Sequence, residues 1–159
     1  MVDFPMDVHR TLANDKVEDD RGKVSLERGP IVYCLEWPDN QDKVLNAVLE
    51  DNVPITASFI PDELNGIVRL EADAKSARRG DDNEVIIENK HLTAIPYYAW
   101  ANRGAGEMAV WIPRTKERTR PLPPPTICTS AKVTSSAPNK SLSSVNDGYW
   151  PDNSNDRHV

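Results

Sequence analysis

The sequence predicts an all-β protein, an antiparallel β-sandwich with a jelly-roll-like arrangement of strands. Short runs of apolar or alternating residues recur along residues 1–113, and clusters of turn-forming residues separate them. No segment carries apolar residues at helical spacing over three or four turns. About eight short strands at this spacing are typical of two packed antiparallel sheets.

Two strands joined by a turn are the best-defined feature of the N-terminal half. KVSLERG (23–29) and PIVYCLEW (30–37) meet at Gly29-Pro30, a pair that predicts a break or a bulge. The IVYCL run is nearly continuous in apolar character, so we expect it to lie centrally in the sheet. Before these strands, residues 2–8 alternate between apolar and polar side chains, which predicts a further strand with one wet face.

The other predicted strands follow in residues 44–113. Residues 44–50 fit either a strand or a short helix, because periodicity does not separate the two. LTAIPYYAWAN (92–102) and GEMAVWIP (106–113) are predicted to form a hairpin around NRGAG. The remaining assignments are strands at 54–60, 67–74 and 84–89, and loops at 61–66 and 76–84.

Three regions are predicted along the chain. Residues 1–113 are long enough for one sandwich domain. Residues 114–125 are rich in proline, which favours extended polyproline geometry and predicts a semi-rigid linker. Residues 126–159 hold few large apolar side chains and cannot bury a core alone, so they read as a tail or as the severed start of another domain.

Charge and hydropathy restrict the classes of partner. Residues 1–112 carry a net charge of −9, whereas residues 113–125 carry +3. An acidic body argues against nucleic-acid binding, and the short basic stretch is interpreted as a solvated linker. No run of apolar residues is long enough to span a membrane. We expect a soluble protein of the bacterial cytoplasm or periplasm.

No catalytic or metal site is predicted in this chain. Cys34 lies in an apolar run, Cys128 is 94 positions away, and neither stands near other ligand residues at zinc-binding spacing. The histidines are separated from one another, and nucleophile-elbow and phosphate-loop motifs are absent. Carboxylates such as Glu36, Glu63 and Glu107 occupy turns or polar strand positions, where solvated acids are routine.

Two long blocks of sequence resemble a known enzyme family. LERGPIVYCLEWPDN (26–40) and LTAIPYYAWANRGAGEMAVWIP (92–113) are similar to the C-terminal β-sandwich region of the β-L-arabinofuranosidase glycoside hydrolases. The resemblance implies a large N-terminal (α/α)₆ barrel that holds the catalytic zinc and its cysteine nucleophile. That barrel is missing from this chain, so no cofactor is expected here, and neither Cys34 nor Cys128 matches the zinc motif. Residues 135–154 resemble the opening of a discoidin-like carbohydrate-binding domain.

The aromatic residues of the second block have two interpretations. They can fill a sandwich core, or they can form a contact surface, for which Tyr97, Trp100 and Arg103 are the candidates. The sequence therefore predicts a non-catalytic accessory module of a glycoside hydrolase that serves domain packing or oligomerisation. The alternative is a carbohydrate-binding module for arabinose-containing or plant-wall glycans. The predicted partners are the missing barrel, a second copy of the chain, or a carbohydrate.

Overall fold

The computed structural model describes residues 3–41 and 43–124, which fold as β-strands joined by turns and short 3₁₀ segments. The strands are β1 (Val8–Leu12), β2 (Lys23–Arg28), β3 (Ile31–Glu36), β4 (Ala47–Val48), β5 (Thr56–Ile60), β6 (Ile67–Arg79), β7 (Val85–Pro96), β8 (Met108–Ala109) and β9 (Ile112–Pro113). Short 3₁₀ turns occupy Trp37–Asp39, Tyr97–Ala99 and Lys116–Arg118. The predicted all-β class is confirmed.

Every pairing between these strands is antiparallel. The main ladder runs β1-β2-β3-β7-β6-β4, while β5 pairs with β6, β8 with β3 and β9 with β2. β3 serves both halves of the ladder, because Ile31 and Val32 pair with β2 whereas residues 33–35 pair with β7. The strands therefore form two layers that share β3. The IVYCL strand lies in the middle of the ladder, as predicted.

The turn between β2 and β3 fixes their register. Arg28 pairs with Ile31, so Gly29 and Pro30 form a two-residue loop. Gly29 has a φ of +55°, which a residue with a side chain rarely adopts, and proline fixes the next φ near −65°. A positive φ at the first loop position alone is the pattern of a type II′ hairpin turn.

One apolar core lies between the two layers. Its buried members are 6% exposed or less, and their removal from water drives the layers together. They include Val24 and Leu26 of β2, Ile112 of β9, Leu35 of β3, Leu70 of β6, and Leu92 and Ala94 of β7. The segment predicted as strand or helix at 44–50 supplies the short strand β4, and Leu49 beside it is fully buried.

β6 and β7 form a long hairpin, and the predicted loop at 76–84 is wrong for its first four residues. β6 continues to Arg79, because Ala77 is fully buried and its N–H donates to the Asn46 carbonyl oxygen at 2.9 Å. Arg78 bonds Glu88 across the hairpin at 2.6 Å. Arg78 and Arg79, which suggested a loop, are thus residues of β6.

The predicted strand at residues 2–8 is also corrected, since β1 begins at Val8. Pro5 has no N–H to give to a ladder. The chain joins the sheet at Asp7, whose carbonyl oxygen accepts the Gly29 N–H at 3.1 Å. Residues 3–6 lie beside the β2–β3 turn, where the Met6 sulfur would be only 2.6 Å from a Cβ added to Gly29.

The predicted hairpin of residues 92–113 does not form. β7 ends at Pro96, and its two successors pair elsewhere: β8 with β3, and β9 with β2. A 3₁₀ turn at Tyr97–Ala99 opens the segment between them. The physical reason is a set of long-range ion pairs made by Arg103, which are described below.

The proline-containing segment after β9 is held on the domain up to Leu122. Leu122 forms a parallel bridge with Arg78, and it exchanges backbone hydrogen bonds with Ala77 and Arg79 at 3.0 and 2.7 Å. The Arg120 N–H donates to the Leu45 carbonyl oxygen at 3.2 Å. The predicted discoidin-like tail, with Cys128, lies outside the described residues.

Replacing Leu35 by alanine tests whether the shared strand β3 organises the core. Leu35 is 1% exposed, so Leu35→Ala should lower the free energy of unfolding by about 2–5 kcal/mol through lost burial and a residual cavity. Val32→Ala is the matched control, because Val32 is on the same strand and 39% exposed. Urea unfolding measures both; an equal loss in the two variants would contradict the core assignment.

Candidate functional site

Exposed apolar side chains concentrate at one end of the sandwich. Six of the eight large ones in the described residues lie there, and the other two, Leu12 and Val17, lie at the far end of β1 and in the loop after it. We call these six side chains the aromatic end. They are Phe4, Val32, Phe59, Tyr97, Tyr98 and Trp100.

Strand register explains why these side chains share one end. Ala57, Leu70, Ala94 and Leu35 form one row across β5, β6, β7 and β3. Two residues farther along, Phe59 pairs with Val68, and Tyr33 pairs with Pro96. The 3₁₀ turn that begins at Tyr97 therefore leaves the sheet at the same level as Phe59. The Gly29-Pro30 turn and Phe4 reach this level from β2 and β1.

Tyr97 and Trp100 stack on each other at this end. Their ring centroids are 5.9 Å apart and their planes differ by 17°. The Trp100 N–H donates to the Tyr97 carbonyl oxygen at 3.2 Å, and in a 3₁₀ turn side chains three residues apart are eclipsed. Tyr97 is 45% exposed and Trp100 40% exposed, so each ring keeps an accessible part. Tyr98, between them, is 67% exposed.

The segment that follows is fastened to the sheet by Arg103. Its Nε donates to the Glu36 carboxylate at 2.9 Å, and Nη2 contacts the same carboxylate. Nη1 and Nη2 bond the two Asp39 oxygens at 2.8 and 2.6 Å, and Nη1 reaches Glu63 at 3.3 Å. The Glu36 side chain is 1% exposed, so Arg103 bonds a buried carboxylate that lies 67 residues earlier in the sequence.

A second guanidinium balances the remaining acids of this cluster. Arg69 Nη2 lies 2.5 Å from Glu63 and 4.0 Å from Asp39. Hydrogen bonds from Arg103 to Asp39 and Glu36 outweigh its partial desolvation and raise the pKa of Arg103 above the ordinary arginine value. The second Glu36 oxygen accepts the Ala101 N–H at 3.1 Å. The aromatic 3₁₀ turn is thus bracketed by Pro96 in β7 and by bonds at residues 101 and 103.

Trp37 closes the other end of the segment. A Cβ placed on Gly106 would lie 2.1 Å from the Trp37 ring, so no residue with a side chain fits there without moving the tryptophan. The backbone N–H of Trp37 donates to the Glu107 carbonyl oxygen at 3.0 Å. Burial opposes ionisation of Glu107, but bonds from the Val44 N–H, Lys43 and the Leu45 N–H lower its pKa below the usual glutamate value.

A small second core lies beneath this segment, on the outer face of β3, β6 and β7. Cys34, Ile67, Ile95 and Ala99 are 5% exposed or less, and Met108 and Val110 pack against them. Burial raises the pKa of the Cys34 thiol to about 12, with the Glu36 charge as a second cause. Cys34 is therefore a protonated, apolar packing residue, as the sequence suggested.

The three predicted contact residues occupy two different environments. Tyr97 and Trp100 lie at the surface, whereas Arg103 points at carboxylates and holds the segment in place. Contact of these residues with a ligand stays a prediction. Sequence reasoning missed Phe59, because its location at this end follows from strand register and from no local motif. Tyr98 was not selected as a contact residue, although the 3₁₀ turn leaves it more exposed than Tyr97 and Trp100.

Glu36, Glu63 and Glu107, which composition offers as catalytic acids, each bond a cation. His9 pairs with Glu27 at 3.0 Å, and His91 pairs with Asp73 at 2.8 Å, both on exposed faces. Among residues 3–41 and 43–124, no three metal-binding side chains converge. That same part of the chain holds no helix of a length and apolarity that could cross a membrane.

Removing the Arg103 guanidinium should unfold the aromatic segment locally and destabilise the domain. Arg103→Gln leaves the buried Glu36 carboxylate without its cation, a change that typically costs about 3–5 kcal/mol. Arg79→Gln is the control, because that side chain bonds the neutral Asn83 at an exposed site and meets no carboxylate among the described residues, so its loss should cost less than about 0.5 kcal/mol. Urea unfolding and the Trp fluorescence spectrum report the two effects, and equal stability of the variants would refute the role of Arg103.

Cys34 should resist alkylation in the folded protein. A thiol with a pKa near 12 holds far less thiolate at pH 8 than an ordinary one with a pKa of about 8.5, so iodoacetamide should react at least about 100-fold more slowly than in denaturant. Because the folded-state pKa is raised, this thiol's stabilising contribution is complete below about pH 8.5 and falls as pH rises toward 12. A Cys128→Ser background leaves Cys34 as the reporter; rapid native labelling would contradict its burial.

The fold and the sequence both match characterised glycoside hydrolases. Residues 8–113 match the model of the glycoside hydrolase family 127 C-terminal domain. The chain is 33% identical over 122 residues to the non-reducing end beta-L-arabinofuranosidase of Bifidobacterium longum, and the match covers 69% of this chain and 18% of that enzyme.

Solved structures show the same relationship. A GH127 beta-arabinofuranosidase aligns with a TM-score of 0.68 and 40% identity over 74% of this chain and 19% of its own. A GH127 beta-L-arabinofuranosidase of Geobacillus stearothermophilus T6 aligns with a TM-score of 0.65 and 42% identity over 69% and 18%. The chain thus spans about a fifth of the length of these relatives. The resemblance carried by residues 26–40 and 92–113 is confirmed, and the chain belongs to glycoside hydrolase family 127 through that family's C-terminal domain.

Proposed function

We propose that this chain is a non-catalytic accessory domain that packs through its aromatic end against the catalytic part of a family 127 glycoside hydrolase. The observation that carries the proposal is the location of six of the eight large exposed apolar side chains at one end. Isolated exposed apolar residues are ordinary, but a group of them gathered at one place marks a contact surface.

The position of the N-terminal segment supports a packing partner on the same polypeptide. Residues 3–6 lie beside the Gly29-Pro30 turn, and Phe4 belongs to the aromatic end. In enzymes where this domain is C-terminal, the preceding domain connects through this segment. A tethered neighbour has a high effective concentration at the surface next to its tether, so a modest apolar surface suffices for docking.

The state of the carboxylates supports the absence of catalysis. Most glycoside hydrolases use two carboxyl groups flanking the bond, one of them free to donate a proton. Glu36, Asp39 and Glu63 lie close together, but Arg103 and Arg69 occupy their oxygens. Carboxylates whose oxygens are bonded to fixed guanidinium groups serve the fold.

Carbohydrate binding is the second candidate, and the stacked pair of Tyr97 and Trp100 favours it. An exposed aromatic ring held in a fixed orientation can receive the C–H face of a sugar. Sugar sites also need polar groups to bind hydroxyls, and Arg103 is engaged with carboxylates instead. Domain packing is the better-supported function, since Phe4, Val32 and Phe59 add apolar surface that a sugar does not need.

A double substitution at the aromatic end tests the packing role. Tyr98→Ser with Trp100→Ser should weaken association with a separately produced N-terminal portion of a GH127 beta-L-arabinofuranosidase by about tenfold or more, since buried aromatic anchors dominate such interfaces. Leu12→Ser with Val17→Ser is the matched control and should leave the association unchanged. Analytical size exclusion and calorimetry measure the complexes.

Two further measurements separate the alternatives. The isolated chain should not hydrolyse an aryl β-L-arabinofuranoside, and hydrolysis by the pure chain would overturn the non-catalytic assignment. Saturable quenching of Trp fluorescence by arabino-oligosaccharides, lost in Trp100→Ala and accompanied by no association with the catalytic portion, would favour the carbohydrate-binding function.

A further inference from the structure

Trp111, the fourth aromatic of the 95–113 segment, lines a groove at the opposite end of β2 from the aromatic end. The groove has a volume of about 130 Å³, which is small for a drug-sized ligand and suited to a single ring. Lys23, Leu45, Arg118 and Arg120 line it together with Trp111, and Val44, Ala109 and Pro113 complete the wall.

The groove is built by β9 and by the segment that returns over it. Ile112 pairs with Val24 and is 2% exposed in the core, whereas Trp111, just before β9, is half-buried and lines the groove. After β9, the Arg114 N–H donates to the Gly22 carbonyl oxygen at 3.2 Å. The Arg120 N–H donates to the Leu45 carbonyl oxygen at 3.2 Å. The segment from 114 to 120 is therefore fixed at both ends.

Arg118 and Arg120 differ from most arginines of the described residues. Arg69, Arg78, Arg103 and Arg114 each bond a carboxylate. The Arg118 and Arg120 side chains form no ion pair or hydrogen bond within residues 3–41 and 43–124. The Arg118 side chain packs beside Gly22, with its Cγ 3.6 Å from the place of a Cβ. The groove is thus lined by one indole ring and by two guanidinium groups that bond no partner in the described part of the chain.

The acidic groups near the groove are already engaged. Lys23 bonds Asp20 at 3.1 Å. The Glu107 carboxylate bonds Lys43 and the N–H groups of Val44 and Leu45. The groove therefore keeps a positive charge on a domain whose first 112 residues carry −9. Two exposed residues of the basic stretch, Arg118 and Arg120, line this groove.

We propose that this groove binds a carboxylate-bearing saccharide, with one uronate ring stacked on Trp111 and its carboxylate held by Arg118 and Arg120. A guanidinium matches a carboxylate with two parallel hydrogen bonds, and an indole face accepts the C–H face of a sugar ring. The groove is distinct from the aromatic end, so this site does not depend on the proposed packing role.

Galacturonate and galactose form a matched pair of probes, because they share a ring and differ in the carboxylate. In the full chain, galacturonate should bind saturably and shift the Trp111 indole N–H resonance, which a Trp111→Phe variant assigns. Arg118→Gln with Arg120→Gln should weaken that binding at least tenfold. Arg21→Gln with Arg79→Gln removes the same net charge outside the groove and should leave binding within about twofold.

Acetate is the third probe, and it tests for a simple anion site. If acetate binds as tightly as galacturonate, the groove takes an adventitious ion only and the proposal fails. Equal binding of galactose and galacturonate would likewise overturn the role of the two arginines, and so would an unshifted Trp111 resonance at saturating galacturonate. Thermal unfolding of each variant verifies that a loss of binding occurs in folded protein.

Discussion

The contact between the Glu36 carboxylate and the Arg103 guanidinium is the interaction on which the outer half of this domain depends. Glu36 ends the central strand β3 and is 1% exposed, so its charge requires a partner inside the protein. The partner arrives on a segment without regular strand pairing, and two more carboxylates complete the arrangement around it. This pair and the close approach of Gly106 to Trp37 hold two points of the segment between Tyr97 and Glu107. The exposure of the aromatic rings is consequently a result of electrostatics at a strand end.

A cluster of ion pairs costs desolvation free energy that an apolar contact does not, so its presence here calls for a reason. Removing charges from water costs several kcal/mol per ion, and apolar side chains of similar volume often stabilise as well. An apolar contact, however, tolerates sliding, whereas a guanidinium bonded to two carboxylates through fixed donors admits one orientation. We infer that the cluster of Glu36, Asp39, Glu63 and Arg103 serves to fix the orientation of Tyr97 and Trp100. A surface that docks against another domain benefits from that precision, because a preorganised surface loses less conformational freedom on binding.

The parts of the fold that the sequence predicts are those specified by neighbouring residues. Gly29-Pro30 marks its turn, IVYCL marks a buried strand, and the alternation at 67–74 marks the middle of β6. Predictions failed where distant residues decide. β6 continues through its charged residues because Ala77 is buried and bonds the carbonyl of Asn46, just before β4. The hairpin predicted at 92–113 does not form because Arg103 bonds Glu36, 67 residues earlier in the sequence. The candidate site was predicted only in part for the same reason: Tyr97 and Trp100 stand in a conspicuous motif, whereas Phe59 joins them only through strand register.

The segment of residues 95–113 contributes side chains to both ends of the sandwich, because the chain crosses from the end of β7 to β9 within it. Pro96 ends β7 at one end of the sheet, where Tyr97, Tyr98 and Trp100 become exposed. The chain then crosses the outer face to β8 and β9, and Ile112 enters the core opposite Val24 at the far end of β2. Trp111 is thereby placed at the end where the basic segment returns. The sequence block that most clearly identifies the family thus connects two chemically different surfaces, one apolar and one cationic. Because Ile112 in the core directly follows Trp111 in the groove, a shift of the β9 register against β2 would move both residues and alter the groove together with the core.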